Sequence, residues 1–203
     1  MMSPAASSET PARLTPEDQR LLLGIAREAI RERLAGERAE GPADHREVSG
    51  GEGSAVLREK RGVFVTLHRQ GALRGCIGYI QGIKPLACAV GEMAQAAAFG
   101  DPRFPPVTAG ELAELDVEIS VLTPLRRISG PSEIEIGEHG LYIVSGPRSG
   151  LLLPQVATEY GWDRETFLGH TCLKAGLPET AWRDPESEIY LFGAQIFGEK
   201  VSG

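Results

Sequence analysis

The stretch Leu73-Arg74-Gly75-Cys76-Ile77-Gly78 gathers a thiol, a guanidinium and two glycines in one short segment. A thiolate is a nucleophile, and a neighbouring cation lowers the pKa of the thiol that yields it. Glycine has no Cβ, so a ligand or another segment can approach the backbone closely at Gly75 and Gly78. Side chains alternate along a strand, so Arg74, Cys76 and Gly78 share one face, with Leu73, Gly75 and Ile77 on the other. The face that meets the core depends on pairing with the preceding strand, Gly62-Val63-Phe64-Val65-Thr66-Leu67. A three-residue loop, Arg69-Gln70-Gly71, with Gly71 left-handed, sets Leu67 against Leu73, Val65 against Gly75 and Val63 against Ile77. Thr66, Arg74 and Cys76 then fall together on the opposite face. A loop of two or four residues would drop Arg74 among Val63, Val65 and Leu67, where an unpaired guanidinium is costly. On this reading Cys76 is the candidate catalytic nucleophile or acyl carrier, and Arg74, Gly75, Gly78 and Thr66 line its substrate. The plain alternative makes Cys76 a small buried apolar side chain, Arg74 half of a structural ion pair, and the glycines packing positions under a helix.

Other polar groups could converge on this segment. Asp101-Pro102-Arg103-Phe104 is stiffened by Pro102, Pro105 and Pro106, so Arg103 presents fixed forked donors suited to a carboxylate or phosphate. An ion pair with Asp101 or with a neighbouring helix is the structural alternative. Gln155 and Glu159 share a helix face at i and i+4. Gln155 follows Pro154 at a helix start, where free N–H groups make a weak anion site; capping and surface roles are the alternative. His170 and Cys172 stand two apart on a helix and do not face each other, which argues against a dyad and for a core cysteine and a capping or surface histidine. His45, His68, His139 and His170 are dispersed, with no Cys-x-x-Cys or His-x-x-x-His spacing, so no metal site is expected. No phosphate loop, dinucleotide fingerprint or nucleophile elbow appears, and no cofactor is expected.

The elements that must position these residues are legible in outline. Thr15-Pro16-Glu17-Asp18 is a helix start: Thr15 caps, Pro16 fits the first turn and Asp18 completes a box-like pattern. Leu21, Leu22, Ile25, Ala29 and Ile30 recur at helical spacing to about Leu34. Residues 36–54 read as a mobile loop, and residues 1–13 and 199–203 as tails. After the hairpin, the spacing predicts a helix over Pro85–Phe99, a short capped helix from Thr108 and a strand over Leu115–Leu122. The second half repeats the rhythm. A strand over Gly140–Ser145 turns at 146–150 and returns at Leu151–Leu153. A short helix over Pro154–Tyr160 leads to a longer one capped by Asp163 that stops near Gly176. A last strand runs from Ile189 to Phe197. Each half runs hairpin, helix, strand, and Gly-Val-Phe-Val-Thr aligns loosely with Gly-Leu-Tyr-Ile-Val, as an ancient duplication would leave them. Hairpin-rich ordering favours an α+β fold, a mainly antiparallel sheet with helices packed on it.

A chain of 203 residues with 41% hydrophobic content suits one domain over residues 14–198, or two small lobes. Its net charge of −7 argues against a nucleic-acid partner, which needs a basic surface. No stretch approaches the roughly 20 apolar residues that cross a bilayer, and the N-terminus lacks a secretory core. A cytoplasmic protein with free thiols is expected.

The segments Gly62–Leu67 and Leu73–Gly78 resemble the signature of the AMME chromosomal region gene 1 family. Further matches follow in order: Asp101–Phe104, Glu118–Pro124, His139–Leu141, Leu152–Val156 and Cys172–Leu177. The resemblance covers about residues 15–198. It implies a two-lobed α+β fold with a cleft between a larger and a smaller lobe. It also implies partners: such proteins are encoded with, or fused to, a Memo-like protein of extradiol-dioxygenase fold and a radical SAM protein, the AmmeMemoRadiSam system. It supplies no established activity. The combined expectation is a component of that system that binds a small anionic substrate or intermediate in the cleft near Arg74, Cys76 and Arg103, with a reactive thiol. The rival expectation is a non-catalytic module that docks the Memo-like partner.

Overall fold

A computed structural model of the chain describes residues 13–36 and 54–199. Most of the tails expected at 1–13 and 199–203, and of the loop expected at 36–54, lies outside the described residues. Helix α1 spans Pro16–Leu34 and begins as its sequence demands. The Asp18 N–H donates to Thr15 Oγ1 (3.2 Å) and the Thr15 N–H to Asp18 Oδ2 (2.9 Å), a reciprocal box that satisfies two otherwise unpaired donors. Leu22, Ala26 and Ile30 are fully buried on one face; removing a leucine or isoleucine side chain from water contributes about 2 kcal/mol each.

Strands β1 (Val63–Arg69) and β2 (Ala72–Tyr79) form the first hairpin, followed by α2 (Leu86–Phe99) and β3 (Leu115–Leu122). A capping box at Thr108 opens a 3-10 turn, Ala109–Glu114, just before β3. Strand β4 (Arg126–Ile128) ends the first half. The second half holds β5 (Gly140–Ser145), β6 (Arg148–Leu152), α3 (Pro154–Glu159), α4 (Arg164–Lys174), β7 (Glu188–Phe192) and β8 (Ala194–Gly198). All pairings are antiparallel, so the α+β expectation holds, but the strands form two sheets rather than one. Their orders are β2-β1-β3-β8 and β4-β7-β5-β6.

Read from the hairpin edge, both sheets follow one plan: second hairpin strand, first hairpin strand, the strand after the helix, then a fourth strand. The fourth strand is exchanged. Strand β4 leaves the first half to pair with β7, and β8 leaves the second half to pair with β3. The strand expected over Ile189–Phe197 is therefore two strands in different sheets, broken at Gly193. At the crossing the Thr123 N–H donates to the Gly193 carbonyl (2.9 Å) and the Gly193 N–H to Thr123 Oγ1 (2.8 Å). Each sheet keeps its own apolar core. Leu22, Ile30, Val65, Val90 and Ile119 belong to the first, and Ile134, Leu141, Ile143 and Phe167 to the second.

The first hairpin corrects the expected register. Its loop has two residues, Gln70 and Gly71, both left-handed (φ 53° and 81°). A two-residue turn by itself would point Arg74 into the core. A bulge between Leu67 and His68 leaves Arg74 as the extra residue, so Leu67 faces Gly75, Val65 faces Ile77 and Val63 faces Tyr79. Each partner lies two residues further along β2 than expected, yet Thr66 and Cys76 still share the face opposite Val63, Val65 and Leu67. The second hairpin is also tighter than expected. Its turn is Gly146-Pro147, and β6 begins at Arg148 rather than Leu151.

Candidate functional site

Strand β2 is an edge strand, and an edge leaves alternate N–H and C=O groups without a ladder partner. At Cys76 the loop after α2 supplies both partners. The Cys76 N–H donates to Asp101 Oδ2 at 2.9 Å, and Arg103 Nη2 donates to the Cys76 carbonyl at 3.3 Å. Asp101 is buried and also accepts from the Arg103 N–H (3.1 Å), Nε (2.9 Å) and Nη2 (2.6 Å). These bonds, those from the Arg103 side chain foremost, hold the Asp101 carboxyl well below the usual carboxylate range. The Asp-Pro-Arg-Phe motif thus stands in for a missing strand. The Cys76 thiol is half-buried, and the Thr66 hydroxyl donates to its Sγ at 3.3 Å. Glu118 on β3 is the cross-strand neighbour of Thr66 on the side away from Cys76.

Arg74 is buried in the bulge, and its charge is met by a carboxylate. Its Nε lies 2.9 Å from Glu111 Oε1 and its Nη2 3.3 Å from Oε2. Glu111 also accepts from the Thr108 N–H (2.9 Å) and from Arg69 Nη1 (3.1 Å). The Arg74 guanidinium, helped by the Thr108 amide, pulls the Glu111 carboxyl down to about 2. Arg74 Nη1 is buried without a hydrogen-bond partner. Phe104 lies against both arginines, its ring centroid 6.0 Å from Arg74 Cζ and 5.5 Å from Arg103 Cζ. Both guanidiniums are therefore taken up by carboxylates of the same chain. The two glycines are approached by protein. A Cβ on Gly75 would stand 2.2 Å from the Ala97 carbonyl of α2, and one on Gly78 2.4 Å from the Phe64 ring.

Gln155 and Glu159 lie on α3, which packs on β5 of the second sheet. Gln155 Oε1 is buried without a partner, and Glu159 is exposed. Cys172 is fully buried, and burial pushes its thiol up. His170 stacks on Trp162 with ring centroids 3.9 Å apart, so the two do not form a dyad. Among the described residues no group of three His, Cys, Asp or Glu side chains is gathered for a metal ion, and no helix is long and apolar enough to cross a membrane.

A pocket of about 320 Å³ opens where the two sheets meet. Lys60, Arg61 and Gly62 lead into β1, Ile80, Gln81 and Gly82 leave β2, Thr123, Pro124 and Leu125 join β3 to β4, and Tyr190 comes from β7. Cys76, Arg74 and Arg103 do not line it. Its chemistry is mixed. Arg61 is buried, with Nε 2.9 Å from Glu59 Oε2, and Lys60 is exposed. Thr123 Oγ1 accepts from Gly193, which leaves its own proton free to donate. Ile80, Pro124 and Leu125 supply an apolar wall. A Cβ on Gly82 would stand 2.2 Å from the Lys60 carbonyl carbon, so the two basic residues and the Gln81 turn are packed backbone to backbone. Sequence reading overlooked this wall. Its only signal was the adjacent pair Lys60-Arg61 before a strand, in a stretch that also carries Arg58 and Glu59.

The AMMECR1 family model matches residues 23–197. A protein of Methanothermobacter thermautotrophicus is 50% identical over 195 residues, covering 93% of this chain and 97% of its own length. Protein MK0488 of Methanopyrus kandleri is 48% identical, covering 93% of this chain and 91% of its own. The crystal structure of the uncharacterised protein PH0010 from Pyrococcus horikoshii superposes with a TM-score of 0.80 at 44% identity, covering 92% of this chain and 94% of that one. The chain belongs to the AMMECR1 family.

Proposed function

We propose that this protein is a binding component of the AmmeMemoRadiSam system. It holds a small anionic substrate or intermediate in the pocket between its sheets, while the Memo-like and radical SAM partners carry the chemistry. The observation that carries this reading is the pocket itself, with Lys60 and Arg61 beside hydroxyl and amide donors and an apolar wall, a composition suited to a small carboxylate or phosphate ester. Arg61 is paired with Glu59, as Arg74 is with Glu111 and Arg103 with Asp101, so the exposed Lys60 is the cation that favours this pocket over an anion clamp at the thiol. The test is titration calorimetry of the chain with inorganic phosphate and with succinate, repeated on Lys60→Glu, which reverses an exposed charge and leaves the fold intact. The expected outcome is binding of at least one anion, weakened about tenfold or more in the variant. Equal affinity in both proteins, or none in either, would sink the reading.

A second reading keeps Cys76 as a nucleophile. One observation favours it: the half-buried thiol has the Thr66 hydroxyl as a donor 3.3 Å from Sγ. If Cys76 alkylates at neutral pH no faster than in denatured chain, the thiol is not activated. Full pathway output from Cys76→Ser would remove it from the chemistry.

A further inference from the structure

The two sheet edges that end in a hairpin strand are treated differently. Antiparallel strands alternate between residue pairs that exchange both hydrogen bonds and pairs that exchange none. In the β5–β6 hairpin, Ser145 and Arg148 flank the two-residue turn and face each other, and such a flanking pair is a bonded one. Alternation then makes Ile143–Gly150 and Leu141–Leu152 bonded pairs. It turns the N–H and C=O of Ser149 and of Leu151 outward, away from β5. Among the described residues these groups have no partner.

The repeated plan of the halves supplies the comparison. A Cβ on Gly75 would stand 2.2 Å from the Ala97 carbonyl at the end of α2, and one on Gly150 2.5 Å from the Ala175 nitrogen at the end of α4. The two glycines are counterparts, so Leu151 corresponds to Cys76. The outward groups of Cys76 are closed by Asp101 and Arg103. Leu151 has no such clamp. The first edge is blocked against further pairing, and the second is open.

We propose that β6 pairs antiparallel with the β6 of a second copy of this chain, about a two-fold axis at Gly150. In that register Ser149 faces Leu151 of the second copy and exchanges both hydrogen bonds with it. The symmetric pair does the same, and every outward group of Ser149 and Leu151 is satisfied. At the axis Gly150 meets its own copy in the close spacing of a non-bonded pair. Neither glycine brings a side chain there, and Ala175 already fills the space above it. Arg148 faces Leu152 of the second copy, so no like charges stand opposite each other. Helix α4, which lies on β6, also carries Leu173, 51% exposed, an apolar group on the element that would flank the joint. Two short strands bury less than a stable interface needs, so the dimer is weak, with a dissociation constant of roughly 10–500 µM.

Sedimentation velocity of the full chain between about 10 and 500 µM tests this. The expected result is a weight-average mass that rises from 21.8 kDa toward twice that value. Ser149→Pro removes an outward N–H on an edge strand, a place that tolerates proline, and leaves the β5–β6 bonds in place. It is expected to weaken association at least tenfold with an unchanged thermal midpoint. Hydrogen exchange on the wild-type chain reads the same joint without a variant, since the Ser149 and Leu151 amides should slow as concentration rises. A mass that stays at 21.8 kDa, a Ser149→Pro chain that dimerises as well as wild type, or amides at 149 and 151 indifferent to concentration would each overturn the proposal. A strand from a different protein on this edge would give the last result.

Discussion

Replacing Glu111 by alanine takes away a carboxylate shared by β1, β2 and the capping box before β3. Glu111 receives Arg69, Arg74 and the Thr108 amide together. Its carboxyl is held at about 2 against an ordinary 4.5. That difference is worth roughly 3 kcal/mol to folding at neutral pH, an upper figure because water reaches part of the network. The Arg74 side chain is 11% exposed, and its Nη1 already lacks a partner. Without Glu111 it becomes a buried unpaired cation, which costs about 3 kcal/mol or more. Both routes converge on about 3 kcal/mol, equivalent to a thermal midpoint lower by about 6–12 °C in a chain of this size. The folded pKa lies below the unfolded one, so the stabilisation is complete above pH 4.5 and is lost as pH falls toward 2. Urea unfolding followed by circular dichroism at pH 7 and near pH 3 measures it. The gap between wild type and Glu111→Ala should be wide at pH 7 and narrower at pH 3. Pairing the change with Arg74→Met should restore much of the loss, because two apolar groups no longer leave a charge stranded. A gap under about 1 kcal/mol at pH 7, or one that ignores pH, would refute the reasoning.

Further outcomes follow from the same geometry. Asp101→Asn should cost about 2–3 kcal/mol by unpairing the Arg103 side chain from a buried acceptor, and the Cys76 amide should exchange faster with deuterium; an unchanged exchange rate would mean that Asp101 does not close the edge. Gly75→Ala should cost about 3 kcal/mol or more, because its Cβ would meet the Ala97 carbonyl at 2.2 Å and α2 would have to lift; a thermal midpoint within 2 °C of wild type would contradict that packing. Iodoacetamide at pH 7.5 should label half-buried Cys76 well before fully buried Cys172, whose thiol burial pushes up; peptide mass spectrometry decides, and equal rates would contradict the burial.

The sequence revealed elements better than their assembly. Local signals were strong where physics is local. The Thr15 box, the Asp163 cap and the alternation of Leu115–Leu122 each lie within a few residues, and each element stands where expected. The face of Cys76 was also legible, because burying Arg74 among valines is costly under any register. The route by which the chain avoids that cost was not. A two-residue turn plus a bulge and a plain three-residue turn give the same face, and apolar patterning cannot tell them apart. The break at Gly193 was hidden for a related reason. Residues 189–197 read as one continuous strand, and only the pairing of Thr123 with Gly193 shows that the chain changes sheets there. The pairing of Arg103 with Asp101, two residues away, was one of the readings the sequence offered, but that of Arg74 with Glu111, 37 residues on, is a tertiary fact.

The strand exchange also explains why the pocket lies where it does. In an unexchanged pair of halves, each lobe would close its own sheet and the two would meet through loops. Here β3 runs on into β4 and β7 into β8, so two continuous chain segments cross from one sheet to the other at Thr123 and Gly193. The pocket is built around that crossing. Thr123, Pro124 and Leu125 are the connecting segment itself, Gly62 leads into β1 and Ile80 follows β2 of the first sheet, and Tyr190 belongs to the second. The Leu122 N–H donates to the Gly62 carbonyl at 2.8 Å, which ties the basic wall to the same segment. A ligand seated there touches both sheets and the link between them, so its binding energy depends on their relative position. A bound anion should therefore raise the stability of the whole chain rather than of one lobe, and both sheets should unfold together in its presence.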